Sequence, residues 1–326
     1  MVKDLTPAAW WAAFNQKGGA SARFPPRGRV HGKNGGSKSG DLRPQVSMIR
    51  LVVNAEGFGA TRASNLDIAR AHREGVVTST SLLGNCADIA DARASLAELP
   101  ALGVGLSLAL WGGTPVATQN QDGSSPLAPG RLLRGSPSAF AMDWLKGRIP
   151  PEHVEREMEA QVSRALGAGV ALDHLCTRGH LGFVPGVGEL VERVARRHKI
   201  AGIRSIVESP TLGWLADPRR GLQLGVLTGL SWVTRRRLGT LRHGPRTWGY
   251  LESGRLDEVR IIEIIGRLGP GGHELICHPG GTNGPGPTAS DAAGDGAVEL
   301  RALTSAKVKT ALDRRAIVLC RWRDLF

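Results

Sequence analysis

The side chains with chemical reach are few and widely spaced. Cys176 and His180 stand at Cys-x-x-x-His spacing, and with His278 they supply the thiolate and imidazole donors that a soft ion such as zinc accepts. The same two histidines read equally as hydrogen-bonded interior groups. Glu56 lies just past a β-branched run and reads as half of a structural ion pair with Arg178 or Arg204. Arg235, Arg236 and Arg237, followed by Arg242, His243 and Arg246, read as a solvated basic surface. Cys86, Cys176, Cys277 and Cys320 form no CxxC pair, so they point to reduced thiols and not to a zinc ribbon or a disulfide framework.

The elements that must position these groups begin at Met48. Ile49 to Val53 is a continuous apolar run, the pattern of a strand buried on both faces, and Ala63 to Glu74 has helical character. Val77 to Leu83 then leads to a helix over Ala87 to Leu96, followed by a strand over Gly103 to Leu110. A helix over Val154 to Leu166 runs into a strand at Leu172 to Cys176. Helices at Val187 to Arg197 and Asp257 to Leu268, with strands at Ile203 to Val207, Glu274 to Cys277 and Ala316 to Cys320, carry the alternation to the end. Such alternation predicts an α/β fold, a distorted TIM-like (β/α) barrel in one domain over 48–326, with chemistry at the C-terminal ends of its strands. Trp111 to Arg148 interrupts it as a long insertion suited to a lid, and Gly281 to Val298 reads as a flexible link.

Several short motifs in chain order carry a family resemblance. Asn54-Ala55-Glu56-Gly57-Phe58-Gly59 closes the first strand, and Glu74-Gly75-Val76-Val77-Thr78 closes the first helix. Val104-Gly105-Leu106-Ser107-Leu108 and Asp173-His174-Leu175-Cys176-Thr177-Arg178-Gly179-His180 follow, then Cys277-His278-Pro279-Gly280 and Glu299 to Ser305. Together they resemble the YdjC-like family of sugar N-deacetylases, whose Asn-Ala-Asp-Asp-Phe-Gly, Val-Gly-Leu-His-Leu, Asp-Ser-His-x-His-x-His and His-Pro-Gly motifs they match in register. The resemblance implies a distorted barrel that removes acetyl groups from N-acetylated sugars with a divalent metal, magnesium or zinc. Amide hydrolysis of that kind asks for a polarised carbonyl, a base for the attacking water and an acid for the leaving amine.

Residue by residue, the resemblance places Glu56 and His278 in the catalytic pair and His180 as a remnant of the metal set. Cys176 falls where the family block has Asp. Gly57, Ser107, Arg178 and Gly182 fall where the family has metal-site side chains, and none of the four is a good ligand for a divalent ion. The implied metal is therefore expected to be absent or weakly held. Asn54, Phe58, Arg204 and Glu208 fall on the substrate pocket. Two functions follow from the resemblance, an amide hydrolase of reduced competence or a non-catalytic binder of a glycan or glycolipid.

Composition bounds the rest. The 326 residues carry a formal charge of +13, and eight basic against two acidic side chains before Met48 supply nearly half of it. This segment, 1–47, is rich in Gly, Ser, Arg and Pro between Gly18 and Ser39 and is expected to be a disordered extension outside the barrel. Its charge alone does not make a specific nucleic-acid site, because no recognised module or aromatic platform accompanies it. With no apolar run long enough to span a bilayer and no signal-like start, the chain is expected to be cytoplasmic. Its expected partner is an N-acetylated sugar or glycolipid, and homo-oligomerisation stays open.

Overall fold

The computed structural model describes residues 48–117, 124–204, 242–243, 245–250, 252–280 and 296–325, with isolated positions at 225 and 229. The first strand, β1, runs Ile49–Phe58, longer than its apolar run because the motif that follows Val53 stays extended. Next come α1 (Arg62–Arg73), β2 (Ser79–Leu83), α2 (Ile89–Ala97), β3 (Gly103–Leu108), α3 (Pro137–Leu145) and α4 (Pro151–Gly167). The chain continues with β4 (His174–Thr177), α5 (Val187–Arg197), β5 (Gly202–Ile203), β6 (Arg242–His243), β7 (Arg246–Trp248) and α6 (Glu258–Arg267). It ends with β8 (Gly271–Cys277), α7 (Gly296–Leu303), α8 (Ala306–Arg314) and β9 (Val318–Leu319).

The described strands form one sheet in the order β6-β5-β4-β3-β2-β1-β8-β7, with β9 beside the start of β1, and every pairing is parallel. The two outermost strands in that order, β6 and β7, are separated in sequence by Gly244 and Pro245 alone. One short stretch of chain thus pairs with β5 through Arg242 and His243 and with β8 through Arg246 to Trp248. Two residues span at most about 10 Å between their neighbours, so the sheet must curl round to bring its edges together. The result is a distorted α/β barrel. Arg246 is exposed, in line with the reading of this stretch as solvated surface, although Thr247 and Trp248 beside it are buried; the Arg235 to Arg237 run lies outside the described residues.

The two faces of the sheet carry different chemistry. Outward, Leu51, Val53, Ala55, Leu82, Leu106, Leu175 and Leu275 pack under the helices against Ile68, Val154, Val191 and Ile261. Burial of that layer provides the main stabilisation, at roughly 25 cal/mol per Å2 of apolar area. Inward, the strands present small and polar residues: Asn54, Ser79, Ser81, His174 and Glu274 are all buried. Gly105 faces the same interior, where an added Cβ would sit 2.2 Å from the His174 ring. A small apolar cluster of Val52, Cys320 and Trp322 plugs one end, with Trp322 stacked on His174 at 4.4 Å.

The insertion is more ordered than its composition predicts. Its second half contains α3, capped by Ser136, and Phe140 and Trp144 stack within it. Two buried polar residues on α4 tether the insertion to the barrel. Gln161 exchanges hydrogen bonds with the Ala109 N–H and C=O at 2.8 and 2.7 Å, and Glu157 accepts from Val116 and Ala117 N–H. The link read as running to Val298 ends sooner, since α7 begins at Gly296, and two helices follow it instead of one. No described helix is long and apolar enough to cross a membrane.

Candidate active site

The polar motifs converge at the C-terminal ends of the parallel strands, as expected of a β/α barrel. Glu56 lies two residues before the end of β1, His180 follows β4, Arg204 follows β5 and His278 follows β8. The Glu56 loop is held from behind by the start of α1. Thr61 and Ser64 form a reciprocal cap, the Ser64 hydroxyl donates to Gly57 O at 3.0 Å, and Gly59 N–H donates to Asn65 Oδ1 at 2.7 Å. His278 is held by Glu299 of α7, which accepts the His278 N–H at 2.5 Å and the Gly254 N–H at 2.7 Å. Sequence reasoning gave Glu299 no role. The signal was a buried acid inside an apolar helical run.

Arg204 is the centre of the arrangement. Its Nε donates to both Glu274 oxygens at 3.0 and 3.2 Å, its Nη2 donates to Glu274 Oε1 at 2.7 Å, and its Nη1 pairs with Glu56. Trp322 Nε1 donates to the same Glu274 at 3.2 Å. The sequence left Glu56 a choice of Arg178 or Arg204, and the structure pairs it with Arg204. Burial alone would raise the Glu56 pKa, but the positive charge of Arg204, aided by His278 and His180, overrides it and holds the carboxyl at about 2. Glu56 is therefore an anion throughout the physiological range.

His278 Nε2 lies 4.0 Å from Glu56 Oε2, and its Nδ1 is 3.2 Å from the Ser253 hydroxyl. His180 has a left-handed backbone (φ 58°) and packs edge-on against Tyr250 at 5.0 Å. Burial lowers its pKa to about 4, against the pull of Glu56 and with Arg204 and His278 adding to the effect, so its ring is neutral at pH 7. The site thus offers an anionic carboxylate, a neutral imidazole and a second imidazole beside the carboxylate.

Among the described residues, the donors that a divalent ion needs are not assembled around these groups. Gly57 is a bulge in β1 with φ 94°, where an added Cβ would meet open space but where an L side chain would be strained. Ser107 is buried beside Cys176 in the β3/β4 register. Cys176 points inward at the Ser81 hydroxyl, 3.5 Å away, and burial, with opposing effects from Arg204 and Glu56, pushes its thiol up to about 11. Arg178 turns away from Glu56 and stacks on Trp111, its Cζ 4.0 Å from the ring centroid. Gly182 is packed against Thr177, whose hydroxyl accepts its N–H at 2.7 Å. Among the described residues no group of three or more His, Cys, Asp or Glu side chains is placed to hold a metal. The described residues do not form a donor set that fits the divalent ion implied by the motif resemblance.

Two other expected pocket residues, Asn54 and Phe58, are buried within the fold. Asn54 is fully buried and donates to Ser81 Oγ at 3.0 Å, so it braces β2 inside the barrel. Phe58 is fully buried in the helix-facing core and anchors the strand end instead of meeting a ligand. Glu208 lies outside the described residues.

Comparison with known proteins agrees with the motifs. Residues 50–314 match the family described as YdjC-like protein. A carbohydrate deacetylase of Brevibacillus brevis is 31% identical over 284 residues, covering 85% of this chain and 100% of that one. The human carbohydrate deacetylase is 30% identical over 308 residues, covering 87% and 92%. A crystal structure from Enterococcus faecalis V583, titled for cellobiose-phosphate cleavage, superposes with a TM-score of 0.64 at 21% identity, over 86% of this chain and 99% of that one, which supports the fold. The ordered motifs, the curled parallel sheet and these matches together place the chain in the YdjC-like family.

Proposed function

We propose that this chain binds an N-acetylated sugar or glycolipid across the strand ends and hydrolyses its amide slowly, without the divalent metal of its family. The observation that carries the reading is the Glu56–His278 pair. A carboxylate and an imidazole 4.0 Å apart, on different strands and each braced from behind, are spaced to share a water and a leaving amine between them. Glu56, kept anionic by Arg204, takes the proton of the attacking water. His278 delivers a proton to the amine nitrogen as the C–N bond breaks.

Two things limit the rate. The described residues offer no metal ligand set to polarise the carbonyl, and losing that contribution costs about 4 kcal/mol, roughly a thousandfold in rate. A carboxylate with a pKa of about 2 is also a weak base, because general-base efficiency peaks nearer the working pH. That second observation favours a further reading, in which the ligand is bound and not turned over.

Acetate release from N-acetylated sugar oligomers, measured with and without chelator beside equilibrium binding and elemental analysis, tests both. The expected result is slow release that chelator does not change and that Glu56→Gln abolishes. Binding without release establishes the second reading. One equivalent of retained divalent metal with chelator-sensitive turnover refutes the proposal.

A further inference from the structure

The insertion that follows β3 carries a helix that is apolar on two opposite faces. On α3, Phe140 and Trp144 are buried and stacked on each other, and Trp144 Nε1 donates to Pro185 O at 2.8 Å. Helical spacing carries Met142 and Leu145 to the other side, where they are 54% and 61% exposed. Leu132, in the segment that leads into the helix, is 57% exposed. A surface helix ordinarily sets a polar face against its buried one, and a helix that is apolar on both sides is suited to being covered on both. Large apolar side chains gathered on a surface mark a site of interaction.

These side chains are held in place. Ser136 caps α3 by accepting the Ala139 N–H at 3.1 Å. The Leu132 segment is pinned by Leu133 N–H, which donates to Gly113 O at 3.0 Å, and by Gly112 N–H, which donates to Arg134 O at 2.7 Å. Arg134 joins the two pieces, donating from Nε and Nη2 to Asp143 of α3 at 3.1 Å. The surround is cationic: residues 124–150 hold Arg131, Arg134, Lys146 and Arg148 against Asp143 alone, and Asp143 already lies between Arg134 and Arg148. The insertion leaves the C-terminal end of β3, and Trp144 bonds to the loop after β4. The apolar residues thus belong to the barrel end that carries Glu56 and His278.

We infer that Leu132, Met142 and Leu145, with the cations around them, form an interfacial surface that docks this barrel end on an anionic lipid bilayer. Exposed aliphatic side chains enter the boundary between headgroups and acyl chains, while the net positive charge beside them is drawn to anionic headgroups. Lysine and arginine can lay their stems along the apolar layer with their charged ends in the headgroups. A protein partner fits less well, because interface anchors are typically aromatic and both aromatic residues of α3 are buried on its other face. A second copy of the chain would bring the same cations face to face. The docking surface does not rest on the proposed amide hydrolysis, which is measured on soluble sugar oligomers.

Cosedimentation of the full chain with vesicles tests this, using phosphatidylcholine alone and phosphatidylcholine mixed with phosphatidylglycerol in equal parts. The expected result is binding to the mixed vesicles that falls at least about tenfold when Leu132→Ser, Met142→Ser and Leu145→Ser are combined. The three side chains are exposed, so the thermal midpoint of the triple variant should stay at the native value. Lys146→Glu should weaken binding to the mixed vesicles and leave the fold intact. Binding through the basic residues 1–47 alone predicts a different pattern, with equal partition of the native chain and the triple variant and full release by salt. That pattern, or no binding of the native chain to the mixed vesicles, overturns the inference. So does self-association that the triple variant abolishes in a chain that ignores vesicles, which would give these residues to a second copy.

Discussion

Arg204 and Arg178 are guanidinium groups at the same end of one sheet, yet they sit in opposite surroundings. Arg204 is buried inside the barrel against two carboxylates, Glu274 and Glu56, with its side chain 2% exposed. Arg178 sits at the wall of a cavity lined by no described acid and leans on an aromatic ring. The difference separates a charge neutralised inside the barrel from one held at its rim. A buried cation between two carboxylates fixes the geometry of the strands around it, whereas one stacked on an aromatic ring at a cavity wall keeps contact with solvent.

The comparison breaks most visibly at Glu274. Glu274→Ala removes the carboxylate that takes three of the Arg204 hydrogen bonds and the one from Trp322, leaving a buried cation with Glu56 alone. Removing one partner of a buried pair costs about 3 to 5 kcal/mol. Urea denaturation should show a loss of that size. A loss below about 1 kcal/mol would mean that the Arg204 network is not a structural unit.

The next effect is a pH dependence centred on Glu56. Its pKa is about 2 in the folded chain against an ordinary value of 4.5, so the folded form binds the proton less readily than the unfolded one. The associated stability is fully present above about pH 4.5 and is lost as pH falls from there towards 2. For this mostly buried carboxylate it amounts to on the order of 2 to 3 kcal/mol. Denaturation at pH 6, 4 and 3 should show the decline, and Glu56→Gln should flatten it. A slope unchanged in that variant would assign the acid sensitivity to other groups.

Much of the barrel was legible because its outer strand faces are apolar runs: β1, β3 and β8 all fall where the hydrophobic pattern predicts a strand. Strands β6 and β7 were hidden because Arg242, His243, Gly244, Pro245 and Arg246 have the composition of a surface loop. Their strand character comes from pairing with β5 and β8, a long-range effect that local pattern does not carry. Of the candidate site, single residues were legible: Glu56, His278 and Arg204, picked out by the motifs, lie together at the strand ends. Its supports were not. Glu274 looked like one residue of a strand, Glu299 like part of a helix, and Glu157 and Gln161 like ordinary polar residues on an amphipathic α4, because their roles depend on what lies across the barrel.

The smallest expected effect completes the contrast between the two arginines. Arg178→Gln removes the stacking on Trp111 at the cavity wall. A partly exposed cation–π contact contributes about 0.5 to 1 kcal/mol, so urea denaturation should detect a loss of no more than about 1 kcal/mol. Arg204→Gln, by contrast, strands Glu56 and Glu274 together in the barrel interior and should cost several times as much. Similar losses in the two variants would show that Arg178 is as much a structural cation as Arg204, and the division of labour between barrel interior and cavity wall would not hold. A small loss for Arg178 beside a large one for Arg204 places the structural charge in the barrel interior and not at the cavity wall.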